Sequence, residues 1–367
     1  MKSLSKNGLS DLQLITLIFV ATSGTNIIFL PRILAEEAGR DGWIGIVLGG
    51  FVALVLAGLI YLLCSRFPRR ILPEFSMLIL GKPLGLIVSA VYVAYTLLLG
   101  STTLMLFKEV AKTWTVFWTP QSVFIASMLI AVIFIVRQGP VPLGRLSELI
   151  FYTIIFVVLL LFLPLPQLNI MHLKPVGEEG LTAIISAARQ TSFAYLGIEV
   201  LLVFFPFFMV REKVLRLYLL SVTLLILFYT ILTLLTYALL GAEFTRLQVW
   251  PLMKYLSVGR MQIIERIDNL FLFMWIMKII GLVAVQYYAA AVTAAAITNK
   301  RYFGLWTLLL LPIMFVVTNL PAQQHAIFEI AHMVGTWGTV FVVGLVLLLL
   351  IVALIRGLDE RKEIGKP

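Results

Sequence analysis

An apolar stretch long enough to cross a membrane is interrupted in its middle. Residues Leu12 to Leu34 form the first hydrophobic run, yet Thr22, Ser23, Gly24, Thr25 and Asn26 lie inside it and Pro31 follows. Gly lacks the β-carbon that restrains a helix, and Pro removes a backbone donor. In hydrocarbon every unpaired backbone amide is expensive, so a break at this depth survives only where protein or a polar cavity covers it. Interrupted membrane helices of this kind build the substrate and ion sites of many transporters. The plainer alternative is a patch of small residues for helix packing. A second break in a matching place would favour the first reading.

Ten stretches have the roughly 20 apolar residues that span a bilayer core: 11–35, 43–65, 84–107, 119–137, 145–165, 182–210, 214–241, 268–297, 302–318 and 333–356. The chain is 61% hydrophobic and 13% charged, where a soluble domain is roughly 45–50% apolar. It is therefore an all-α polytopic membrane protein, read as a single transmembrane domain over 1–367, since no loop is long enough for a soluble one. No cleavable leader is expected, because the run after Lys2 and Lys6 is long and lacks a small-residue cleavage site. The single cysteine, Cys64, excludes an internal disulfide, and no Cys/His spacing indicates a metal. His172, His325 and His332 sit near segment ends and read as interfacial.

Lys and Arg are distributed unevenly between the two sides. With the N-terminus inside, 17 of the 28 basic residues fall on the inner side and 9 on the outer, Arg189 and Lys278 lying within spans. That bias places both termini in the cytoplasm. It also accounts for the net charge of +10 without nucleic acid as a partner; membrane lipids are the expected surroundings. Trp43, Trp114, Trp118, Trp250 and Trp306 lie near span ends, as interface aromatics do. Two loops carry structure of their own. Residues 69–85 read as a short amphipathic inner-surface helix, with Pro73 at its start and Gly81 after its end. Residues 242–267, around Trp250-Pro251, are long enough for a helical outer cap.

Ten spans divide as five plus five, so the sixth should be broken if the halves repeat in inverted orientation. It reads Thr191-Ser192-Phe193-Ala194-Tyr195-Leu196-Gly197-Ile198-Glu199-Val200, with Pro206 beyond. The repeats would cover about 11–165 and 182–356. Broken first and sixth spans with an inner amphipathic loop resemble the amino acid–polyamine–organocation superfamily and its LeuT-type fold. More closely, the chain resembles the endospore germination permease family, the B subunits of spore germinant receptors. The matching pieces are Gly24 to Pro31-Arg32, Ala35-Glu36-Glu37-Ala38-Gly39 with Asp41-Gly42-Trp43, Arg145-Leu146-Ser147-Glu148, Leu173-Lys174-Pro175 with Gly177-Glu178-Gly180, Leu196-Gly197-Ile198-Glu199-Val200, Trp250-Pro251, and Glu265-Arg266-Ile267-Asp268 with Trp275. The resemblance implies a receptor subunit in the inner membrane of the spore that recognises a small nutrient, typically an amino acid, beside two other subunits.

Among the ionisable residues of the spans three stand out: Arg189, Glu199 and Lys278. Such groups usually face a cavity or a partner. Glu199 follows the Gly197 break and either fastens the broken helix or meets the ligand. Lys278, Leu282 and Gln286 are four apart and share a helix face, which in this fold packs near the two breaks. A Glu199–Lys278 ion pair is one reading of Lys278, and snorkelling to the outer surface is the other. Arg189 is close enough to the outer end to snorkel. On the third span Tyr95 and Leu99 are also four apart, and Tyr95 can close an apolar pocket while offering a hydroxyl.

The expected ligand-binding set is Ser23, Gly24, Thr25, Asn26, Tyr95, Leu99, Tyr195, Leu196, Gly197, Glu199, Lys278, Leu282 and Gln286. The ligand's carboxylate would meet freed N–H groups of the first helix and its ammonium the carbonyls near Tyr195 to Gly197. No Ser-His-Asp, Walker, Rossmann or zinc pattern occurs, so neither an enzyme nor a cofactor is expected. A nutrient sensor and an alternating-access permease share nearly every one of these features; the family resemblance favours the sensor, the fold alone the permease. The eighth span has no Ser or Thr between Asn269 and Ala291, which argues against a bound sodium ion.

Overall fold

A reciprocal cap starts the first helix. In the computed structural model, which describes residues 8–209, 211–259, 267–298, 300–321 and 323–360, the Ser10 hydroxyl accepts from the N–H of Gln13 at 3.3 Å and the Gln13 side chain accepts from the N–H of Ser10 at 3.2 Å. Helix α1 (Asp11–Thr22) then stops at Ser23 and Gly24, both extended. One 3₁₀ turn, Thr25–Ile28, leads into α2 (Leu30–Ala38), whose first turn holds Pro31, where a missing N–H leaves no orphan. The chain continues through α3 (Gly42–Arg66), α4 (Leu72–Leu80), α5 (Lys82–Trp114), α6 (Gln121–Val136) and α7 (Pro140–Leu160). The second break separates α8 (Gly180–Gln190) and α9 (Ser192–Tyr195) from α10 (Leu201–Phe204). Then follow α11 (Val214–Leu240), α12 (Ala242–Leu247), α13 (Pro251–Val258), α14 (Ile267–Thr298), α15 (Phe303–Asn319) and α16 (Gln324–Ile355).

Each of the ten apolar stretches is helical over most of its length. Among the described residues six helical runs are long and apolar enough to cross a membrane, α8 with residues 192–207 makes a seventh bent by 45°, and α1, α6 and α15 are shorter apolar helices. Large apolar side chains such as Phe51, Phe134 and Val316 stand on the outside, as a lipid-facing surface requires. The protein is an integral membrane protein.

Within 69–85, where a short helix is expected, α4 forms, with Pro73 in its first turn, the Glu74 carboxylate accepting from the Ile71 N–H at 3.1 Å, and Gly81 ending it at φ +85°. The expected cap over 242–267 contains α12 and α13. Lys2, Lys6, Arg260, Glu265, Arg266, Arg361, Lys362 and Lys366 lie outside the described residues.

Sequence pieces far apart in the chain meet. The Asp41 carboxylate accepts from the N–H groups of Gly177 at 2.8 Å and Glu179 at 3.2 Å, tying the α2–α3 turn to the segment before α8. Gln13 of α1 donates to Glu148 of α7 at 3.3 Å. Helix α14 runs through the interior, packed against α1, α5, α6, α7 and α15.

Candidate functional site

The two breaks touch each other. Gly197 has φ +113°, a left-handed conformation that only Gly adopts without strain. A β-carbon on it would lie 2.4 Å from the Ala21 carbonyl oxygen and 2.9 Å from the Thr22 α-carbon. The sixth span therefore crosses the end of α1 at the point where both helices are open.

Helix breaks leave carbonyls and N–H groups without intrahelical partners, and in a membrane interior each needs another. Here side chains supply them. Glu199, fully buried, accepts from the Gly197 N–H through Oε2 and from the Tyr95 hydroxyl through Oε1, both at 2.8 Å. Tyr218 donates to the Ile198 carbonyl at 2.8 Å and Tyr229 to the Ala194 carbonyl at 3.1 Å. Tyr92 reaches the Glu199 carbonyl at 3.4 Å, and the Gln286 amide reaches the Ala21 carbonyl at 3.5 Å.

The expected residues fall into two groups joined at the Gly197–Ala21 contact. One contains Tyr95, Leu196, Gly197 and Glu199; Tyr95 and Leu196 also meet the backbone of Gly338, where an added β-carbon would stand 2.9 Å from each. The other contains Gly24, Asn26, Leu282 and Gln286: a β-carbon on Gly24 would lie 3.0 Å from Asn26 Oδ1 and 3.7 Å from Leu282 Cδ1. Ser23 closes its own helix end by donating to the Phe19 carbonyl at 2.7 Å, and Thr25 donates to the Thr103 carbonyl of α5 at 3.0 Å. Tyr195 turns away from the breaks, its hydroxyl on the Ile46 carbonyl of α3 at 2.9 Å. Leu99 is buried on α5. Arg189 is exposed near the end of α8, as its reading required.

Lys278 departs from both readings made of it. It does not pair with Glu199, whose oxygens accept from the Gly197 N–H and the Tyr95 hydroxyl instead. Nor does it reach the surface: the residue is 1% exposed and its ammonium rests 5.2 Å from the centroid of the Trp275 ring. It has no hydrogen-bond partner. Asn26 is also poorly satisfied. Its amide lies beside the Tyr229 hydroxyl, but neither of its polar atoms completes a hydrogen bond of ordinary geometry.

A cavity of about 310 Å³ is lined by Asn26 and by residues of α2, of the segment Gln190–Ala194 and of α16. Its volume suits a small ligand. Of the residues expected at the site, Asn26 lines it. Arg32 and Glu36 form an ion pair at 2.7 Å on its wall. Phe328 of α16 packs on Phe29 at 5.3 Å and on Trp250 at 5.5 Å between ring centroids. His325 and His332 line the cavity as well, a more specific place than the interfacial one expected. The contribution of α16 was missed. Its signal was present in the sequence: His325, His332, Gly335 and Gly338 are polar or small residues at spacings of 7, 3 and 3. Among the described residues no group of three His, Cys, Asp or Glu is placed to hold a metal.

Three comparisons bear on this arrangement. The family model described as "Spore germination protein" matches residues 8–327. The chain is 25% identical over 344 residues to spore germination protein YndE of Bacillus subtilis (strain 168), covering 91% of this chain and 93% of that one. It is likewise 25% identical to spore germination protein KB of the same organism, over 81% of each chain. Among solved structures it is similar to Mhp1, a nucleobase-cation-symport-1 family transporter in a closed conformation with bromovinylhydantoin bound, with a TM-score of 0.63, 14% identity, and coverage of 87% of this chain and 73% of that one. It is similar also to MhsT in complex with L-phenylalanine, with a TM-score of 0.59, 14% identity, and coverage of 94% and 97%. The likenesses to solved structures establish the LeuT-type fold.

Proposed function

The chain belongs to the spore germination protein family, and from that premise we propose that it is the membrane-embedded sensing subunit of a germinant receptor. Its ligand is a small nutrient, an amino acid by preference, bound where the first and sixth spans are broken. The observation that carries this reading is the contact between Gly197 and the Ala21 carbonyl, together with the unsatisfied amide of Asn26, which lines the cavity. A ligand at the two helix ends would exchange its own polar groups for side-chain partners such as the Gln286 amide on the Ala21 carbonyl. Ligand binding shifts the subunit between conformations, and two further receptor subunits read that shift. The chain acts without catalysis. It lies in the inner membrane of the spore as one transmembrane domain, with repeats over about 11–165 and 182–356 and both termini on the cytoplasmic side.

Binding of radiolabelled amino acids to purified protein, compared between the native chain and Asn26→Leu, tests the site: native binding and its loss in the variant are expected. Retention of full affinity in Asn26→Leu would remove the breaks from consideration. A permease working by alternating access is the second reading, favoured by the fold alone. Uptake by reconstituted vesicles separates the two, and binding without uptake is the expected result.

A further inference from the structure

Among the described residues, two buried donors on α14 find no acceptor. The Lys278 ammonium, on a residue 1% exposed, and the indole N–H of Trp275, on a residue 0% exposed, make no hydrogen bond. They are adjacent, with the ammonium 5.2 Å from the Trp275 ring centroid. The ring face attracts the ammonium, but both polar groups donate only, and neither can accept a hydrogen bond from the other. A cation held in a membrane interior without a counter-charge lowers stability, and chains keep such groups where function uses them. What the pair lacks is an anion.

Trp275, Lys278, Leu282 and Gln286 follow one another at spacings of 3, 4 and 4, and so form one stripe of the helix. The Leu282–Gln286 end of that stripe borders the first break, at Gly24 and at the Ala21 carbonyl. One turn, roughly 6 Å, separates Leu282 from Lys278. We propose that Lys278 and Trp275, which stand apart from the cavity at Asn26 and one turn beyond the first break, form an anion subsite and hold the ligand's carboxylate. The germinant is then a carboxylate-bearing molecule, and uncharged nucleosides and sugars are excluded. This assignment rests on the proposed binding of a nutrient at the breaks, and it moves the carboxylate from the freed N–H groups of the first helix to α14.

The test uses the full chain in lipid nanodiscs, with a panel of L-amino acids, their primary amides, inosine and glucose as probes. At least one amino acid should bind, and its amide should bind roughly tenfold more weakly or worse, the range of a lost charge-assisted hydrogen bond. Lys278→Met should lose a similar factor for the amino acid and nothing for the amide, and Lys278→Arg should restore part of it. Trp275→Phe keeps the ring and removes the N–H, so it should weaken the amino acid alone. Because the amide comparison needs no variant, misfolding of Lys278→Met leaves the assignment testable. Equal binding of acid and amide by the native chain would overturn it. So would discrimination against the amide that persists in Lys278→Met, which would return the carboxylate to the backbone of the first helix. Inosine or glucose bound in preference to every carboxylate would overturn the anion subsite while leaving a nutrient receptor. Exchange of chloride for sulfate covers the other anion present: binding that requires chloride and ignores the ligand's carboxylate would put chloride on Lys278 and overturn the carboxylate assignment. Binding of no probe at all would overturn both this assignment and the nutrient reading.

Discussion

Gly197 presses its α-carbon against the carbonyl of Ala21, leaving no room for a β-carbon, which would sit 2.4 Å from that oxygen. The two helix breaks are thus mutually dependent: the sixth span can cross the first only where one of them carries no side chain. Gly197→Ala would meet two penalties together. The left-handed conformation at φ +113° is strained for any other residue by about 1–3 kcal/mol, and the contact itself forces the spans apart. Gly24 is different, since its backbone is extended at φ −97° and an added β-carbon would meet only the movable amide of Asn26 at 3.0 Å. Thermal unfolding in detergent should show Gly197→Ala strongly destabilised and Gly24→Ala within about 1 kcal/mol of the native chain. Equal effects at both positions would contradict this account of the crossing.

Tyr95 and Glu199 give a second prediction. The tyrosine hydroxyl donates to a carboxylate that is wholly buried and whose other oxygen already serves the Gly197 N–H. Removing the hydroxyl in Tyr95→Phe leaves one carboxylate oxygen unpartnered. The loss should be about 1.5–3 kcal/mol, the range for a hydrogen bond to a charged group. Glu199→Gln changes the charge and keeps the size, so Tyr95→Phe in that background should lose less. A double-mutant cycle on thermal stability measures the difference; additive effects would mean that the two groups do not depend on each other.

What could be read from the sequence follows from what is local. Both breaks, the short helix α4 and its end at Gly81 were legible because Gly, Pro and polar runs act on their own backbone. The role of Glu199 was half legible: its place two residues after Gly197 indicated a fastener, but a single sequence does not say that Tyr95, on α5, takes its other oxygen. The partners that close the remaining carbonyls, Tyr92, Tyr218 and Tyr229, sit 20 to 107 positions away from the groups they satisfy or their neighbours, and tyrosines in apolar spans look like ordinary packing. Lys278 was expected to find either an acid or the surface, since a cation normally has one or the other. Its burial beside Trp275 is a tertiary outcome. The face of α16 went unread because its two glycines and two histidines are sparse within an otherwise apolar helix.

Topology is open to a direct check. The excess of basic residues on one side puts the α11 start inside and the α12–α13 segment outside. Lys213 and Lys254 are both exposed, so a thiol at either position is reachable from its own side. Cys64 is buried and supplies a quiet background. A membrane-impermeant maleimide applied to intact cells should label Lys254→Cys and spare Lys213→Cys. The reverse pattern would invert the assignment, and with it the side from which the cavity at Asn26 is reached.

The last prediction concerns sodium. A cation held between the first and eighth spans of this fold needs carbonyl and hydroxyl oxygens turned toward it. The Ala21 carbonyl, freed at the end of α1, instead accepts from the Gln286 amide at 3.5 Å, so a donor occupies the place where a cation would need an acceptor. Helix α14 adds no hydroxyl between Asn269 and Ala291 other than those of Tyr287 and Tyr288. The Tyr287 hydroxyl is already spent on the Thr307 carbonyl at 2.7 Å. Lys278, two turns or roughly 12 Å along the same stripe from Gln286, places a positive charge on the approach, and like charges at that separation repel by about 1.4 kcal/mol in an effective dielectric of 20. Ligand affinity measured in sodium and in choline buffer at equal ionic strength should therefore agree within roughly tenfold, or 1.4 kcal/mol. A larger gain specific to sodium would mean that Gln286 swings away from Ala21 when ligand binds, and Gln286→Leu would then raise sodium affinity no further.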